Sequence, residues 1–100
     1  MEIKLKIENK TRSFTTDFIN TRCFRNFLKL QNEVDYENLT DKDLDKMVDL
    51  IVEVFGKQFT RDDVYDGLPS NKLIPTWLDV AGGIMGEFNK AVDDGDAEKN

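Results

Sequence analysis

Over the first fifteen residues the apolar positions fall on every second place. Ile3, Leu5 and Ile7 alternate with Glu2, Lys4 and Lys6, which is the period of a strand with one buried face. Glu8-Asn9-Lys10 predicts a turn, because asparagine tolerates left-handed backbone. Thr11 to Thr15 predicts the return strand of a hairpin, with Phe14 on its apolar side. A lone hairpin is barely stable in water, so helices must cover it.

From about Asn20 the period lengthens. Cys23, Phe24, Phe27 and Leu28 repeat at helical spacing and predict a first helix to about Asn32, capped by Asn20 or Thr21. Glu33 to Leu39 has no clean period and reads as a loop with Val34, Tyr36 and Leu39 turned inward. Thr40 caps a second helix, and Asp41 and Asp43 sit in its first turn, where the helix dipole favours anions. Leu44, Met47, Val48, Ile51, Val52 and Phe55 form its stripe, and Gly56 suits its stop. Thr60-Arg61-Asp62-Asp63 repeats the capping logic for a short helix that Gly67 ends, and Leu68-Pro69-Ser70 is a turn.

The last helix is expected to start near Asn71 to Leu73, with Pro75 in its first turn, where a missing N–H costs nothing. Ile74, Trp77, Leu78, Ala81, Ile84, Met85 and Phe88 form its predicted stripe, which fades by Asp93. The expected organisation is a single globular domain over residues 1–93 and a polar flexible tail over residues 94–100. The predicted fold class is α+β: a predominantly helical single domain with an N-terminal β-hairpin packed on about four helices.

Composition narrows the function classes. One hundred residues, 39% of them hydrophobic and 34% charged, suit one soluble globular domain. No apolar run approaches the roughly 20 residues that span a bilayer, and MEIKLKIENK lacks a signal-peptide core. A cytoplasmic protein is expected. Cys23 has no partner for an intramolecular disulfide and reads as a small buried apolar residue.

Charge is uneven. Residues 1–30 carry seven lysines and arginines against three carboxylates, a net of +4, and the remainder carries seven against seventeen, a net of −10. Such a chain could stack head to tail through opposite patches, although charge for solubility alone accounts for the same pattern. The acidic balance repels phosphate, so no nucleic-acid partner is expected.

No chemistry-bearing motif survives inspection. Asp41, Asp43 and Asp45 resemble the start of a calcium loop, but the sixth and twelfth places hold Lys46 and Val52 instead of glycine and glutamate. Without histidine and with one cysteine, metal ligation and nucleophilic catalysis lack their usual groups. Gly82-Gly83 and Gly86 follow no strand, so they are no nucleotide fingerprint. No enzyme activity, cofactor or metal is expected. Each of those glycines costs roughly 0.5–1 kcal/mol inside a helix. Close packing within the monomer would explain them, and so would a hinge or a smooth face for a partner helix. Trp77 is either core filling or an interface anchor.

The order of these elements carries a resemblance. A small basic hairpin, a helix, an acidic capped helix ending in VEVFGKQFT and then DDVYDGLPSNKLIPTWLDV resemble the tail assembly chaperones of long-tailed phages and prophages of Gram-positive bacteria. The carriers are Phe55, Gln58, Phe59 and Thr60, then Asp66-Gly67, then Leu73-Ile74-Pro75-Thr76. The resemblance implies a non-enzymatic protein that binds the tape measure protein and helps recruit tail tube subunits during tail morphogenesis. It also implies action in the host cytoplasm and absence from the mature virion.

In many such phages a longer form arises by translational frameshifting, and Glu98-Lys99-Asn100 can be encoded by a slippery A-rich heptamer. The residues expected to meet a partner are Trp77, Leu78, Gly82, Met85, Gly86 and Phe88, with self-association as a further expectation. A competing reading is a small acidic regulatory or inhibitory protein of the nucleic-acid-mimic type. Regular rows of exposed carboxylates would favour it, and an exposed apolar groove near Trp77 would favour the chaperone.

Overall fold

The computed structural model describes the backbone of residues 1–99 and the side chains of residues 1–86. Strands β1 (Glu2–Ile7) and β2 (Lys10–Thr15) form an antiparallel hairpin, followed by helices α1 (Thr21–Glu33), α2 (Asp41–Val54), α3 (Arg61–Gly67) and α4 (Leu73–Lys99), with one 3-10 turn at Ser70–Lys72. This is the predicted α+β architecture.

The hairpin turns on two residues, Glu8 and Asn9, both left-handed at φ 53° and 64°. Two consecutive left-handed residues make the turn whose twist matches that of the flanking strands. The register pairs Ile7 with Lys10, Leu5 with Arg12 and Ile3 with Phe14. Ile3, Leu5 and Phe14 thus share the buried face.

The helix starts follow their caps. Asn20 accepts from the Cys23 amide at 2.9 Å. Thr40 and Thr60 each form a reciprocal box with the aspartate three places on, Asp43 and Asp63. At the end of α2, Gly56 adopts φ +69°. Its amide reaches the Glu53 carbonyl, and the Lys57 amide reaches that of Val52 at 2.9 Å. This paired closure satisfies the last carbonyls of the helix.

α2 lies at the centre, packed against α1, α3 and α4. That position explains why its buried set is wider than one stripe. Met47, Val48, Leu50, Ile51, Val54 and Phe55 are all buried, and Leu50 and Val54 were not part of the predicted face. Behind α2, Phe59 packs on Phe14 at 4.9 Å and on Phe55 at 5.6 Å between ring centroids. Gln58 donates to the Thr15 and Phe55 carbonyls, both at 2.8 Å. The segment FGKQF is therefore the lock between the helical layer and the hairpin.

Candidate functional site

α4 carries two apolar stripes, and only one is consumed by the core. Leu73, Trp77, Val80 and Ile84 follow one helical line, and the last three are buried. Ile74, Leu78, Ala81 and Met85 follow a second line, displaced by one residue, or about 100° around the axis. Ala81 and Met85 are half-buried against the core. Ile74 is 42% exposed and Leu78 62% exposed. The predicted stripe merged these two lines: Ile74 lies outward and not in the core, and Leu78, placed both in that stripe and among the partner-facing residues, is exposed.

The expected partner-facing residues therefore separate. Trp77 is 2% exposed, and its ring lies 6.0 Å from that of Phe27. The core alternative holds for it, and as a surface anchor it is corrected: the indole is buried beside Phe27 of α1 and donates to Tyr36. Leu78 and Met85 share the outer flank. Gly82 and Gly86 border it, and an added Cβ at either would meet nothing within 4 Å. The Phe88 side chain lies outside the described residues.

Gly82, Gly83 and Gly86 of α4 thus have different surroundings. Gly83 faces inward, and a side chain there would collide with the end of Met1 and approach Ile19. That clash is with the movable end of an exposed side chain, so close packing within the monomer favours Gly83 without requiring it. It does not account for Gly82 and Gly86, which leave the outer flank smooth. A stronger requirement falls on Gly67, predicted only as a helix end. A Cβ there would come 2.7 Å from the Lys6 carbonyl oxygen, so its absence lets α3 sit against β1.

Other apolar side chains also reach solvent. Leu28 on α1 and Tyr36 in the following loop are exposed, although both were expected inward. Leu28 lies off the α1 face that buries Cys23, Phe27 and Leu30. Tyr36 stays outside because its hydroxyl has polar work, bonding to Gln31 and to the Trp77 indole. Phe18, in the connection between β2 and α1, is the most exposed large apolar side chain among the described residues.

The electrostatics are those of a surface. Arg61 grips Asp49 with two hydrogen bonds of 2.7 and 2.6 Å, which holds its guanidinium protonated more firmly than usual. The Tyr65 hydroxyl donates to Asp45. Partial burial of its ring and then that carboxylate push its pKa up to about 12. Burial foremost, then the Glu53 carboxylate, push the Cys23 thiol up, which removes thiolate character. Asp43, Asp63, Asp45 and Asp49 are thus engaged in caps and pairs, not set out in free rows. Among the described residues no group of three or more His, Cys, Asp or Glu could hold a metal ion. No described helix is long and apolar enough to cross a membrane.

Fold and surface together define a small α+β module whose last helix carries a partly exposed apolar flank. A family model described as phage tail chaperone protein matches residues 1–100, and the chain belongs to that family. No curated protein and no solved structure matches it.

Proposed function

We propose that this protein is a phage tail assembly chaperone that binds the tape measure protein and helps recruit tail tube subunits as the tail forms. It acts without catalysis and in the host cytoplasm. The observation that carries the reading is the second apolar stripe of α4. Ile74 and Leu78 are exposed, Ala81 and Met85 continue the line, and Gly82 leaves room for a backbone to lie close.

A long helical partner with exposed apolar positions can bury them on such a flank, helix against helix. The flank is narrow and only partly exposed, which suits binding that is reversed when tube subunits arrive. Polar residues around it, among them Asp79 and Asn71, keep the free chaperone from a wide apolar surface.

The test is affinity capture from the native locus with an N-terminal tag and intact downstream DNA. The reading expects a very long helical tail protein in the eluate, with or without an extended form of the bait. Recovery of a host nucleic-acid-binding protein alone would replace it with the inhibitor reading.

A further inference from the structure

The free edge of β1 can be read from one residue pair. The Thr16 amide donates to the Met1 carbonyl at 3.0 Å, and the Met1 ammonium donates to the Thr16 carbonyl at 3.2 Å. Met1 and Thr16 therefore exchange both bonds, and in an antiparallel ladder such pairs recur at every second residue. Ile3 with Phe14, Leu5 with Arg12 and Ile7 with Lys10 follow by register. The N–H and C=O groups of Glu2, Lys4 and Lys6 consequently point away from β2. Among the described residues no backbone hydrogen bond takes up those of Glu2 or Lys4.

Beside that edge lies a groove of about 410 Å³, lined by β1 and Thr11 of β2 on one side and by Gly67, Leu68, Pro69, Lys72 and Thr76 on the other. Gly67 closes one end, because it packs so near the Lys6 backbone that an added Cβ would come 2.7 Å from its carbonyl oxygen. The open part runs along Glu2 to Lys4. Its lining is largely apolar, and its charged members are Lys4, Lys6 and Lys72 against Glu2. In a chain of net charge −6 this is a locally basic site.

An unpaired strand edge attracts other strands. A second folded copy is a poor occupant. Antiparallel pairing of two β1 edges centred on the open segment, at Ile3, sets Glu2 against Lys4, so charge does not oppose it. The obstacle is steric: each edge is recessed behind its own α3 wall, where Gly67 meets the Lys6 backbone. A single extended segment does not meet it.

We propose that the groove beside β1 is a strand-addition site for an extended segment of a partner protein in which carboxylate and apolar side chains alternate. Glu2 and Lys4 each offer one outward N–H and one outward C=O, enough to hold a short added strand. Side chains of an added strand alternate between the two faces of the sheet. Carboxylates then fall beside Lys4 and Lys6 on the outer face, and the apolar side chains turn toward Leu68 and Pro69. The site lies on the hairpin and stands independently of the α4 flank.

The test uses the full chain, isotope-labelled, titrated with a capped hexapeptide of alternating glutamate and valine. The expected result is saturable shifts centred on the Glu2 and Lys4 amides, with slower hydrogen exchange there. A lysine-for-glutamate peptide should bind about tenfold more weakly, and Lys4→Glu should weaken the glutamate peptide by a similar factor. N-methylation of alternate peptide amides should abolish binding. Lys4→Pro removes one outward N–H without breaking a β1–β2 bond and should do the same. If Lys4→Pro fails to fold, Lys4→Glu and the methylated peptide still decide. No saturable shift up to about 1 mM peptide, shifts centred on α4, or binding indifferent to methylation would each overturn the proposal.

Discussion

The indole N–H of Trp77 donates to the Tyr36 hydroxyl at 3.1 Å, joining α4 to the loop between α1 and α2. Tyr36 donates in turn to Gln31 at 2.8 Å. A ring buried in the core thus has its one polar atom satisfied by a side chain that itself remains 44% exposed. Trp77→Ala should lose about 3–5 kcal/mol of stability, the range for deleting a large buried aromatic. Tyr36→Phe should lose only about 1–2 kcal/mol, by stranding the indole donor. Chemical denaturation followed by circular dichroism measures both. Equal losses would mean that the loop, not the ring, anchors α4.

Two glycine substitutions should move stability in opposite directions. Gly67→Ala forces a methyl against the Lys6 carbonyl, a backbone atom that cannot step aside. A loss of about 1–3 kcal/mol is expected from such overpacking. Gly82→Ala meets open space and should gain about 0.5–1 kcal/mol from helix propensity. Thermal melts of the two variants would show a lowered and a raised midpoint. A destabilised Gly82→Ala would mean that the backbone there is not plain helix.

Tyr65 makes stability fall in alkali. Its ordinary value of 10.0 is raised to about 12 in the folded chain, so folding favours the neutral phenol. That contribution is fully present below about pH 10 and is lost as the pH rises to about 12. Phenolate absorbance should therefore show one tyrosine titrating late. Asp45→Asn, which removes the negative acceptor, should bring that titration earlier. An unchanged curve would mean that the Asp45 contact contributes nothing.

The sequence revealed elements more fully than faces. Strict alternation marked the hairpin, and Thr40 and Thr60 marked two helix starts through chemistry that is local to four residues. Faces depend on neighbours, which no local pattern contains. Leu50 and Val54 are buried because α2 is central and covered on several sides. Ile74 and Leu78 are exposed because the core has already been filled by the adjacent line of Trp77, Val80 and Ile84. Gly67 looked like a helix stop, yet its requirement comes from Lys6, sixty-one positions earlier. Leu78, Gly82, Met85 and Gly86 were expected at a partner surface, and the structure places them on or beside the outer flank of α4. That Trp77 belongs to the core and not to the flank could not be read from its spacing, since core and interface use the same period.

The central claim rests on Leu78 and Ile74 as surface, not core. The most direct measurement is capture of the tape measure protein by wild-type chain and by an Ile74→Ser, Leu78→Ser double variant, with melting midpoints recorded for both. The account predicts that the variant stays within about 1 kcal/mol of wild-type stability, as exposed substitutions do, and recovers at least tenfold less partner. Undiminished capture by a stably folded variant would contradict it.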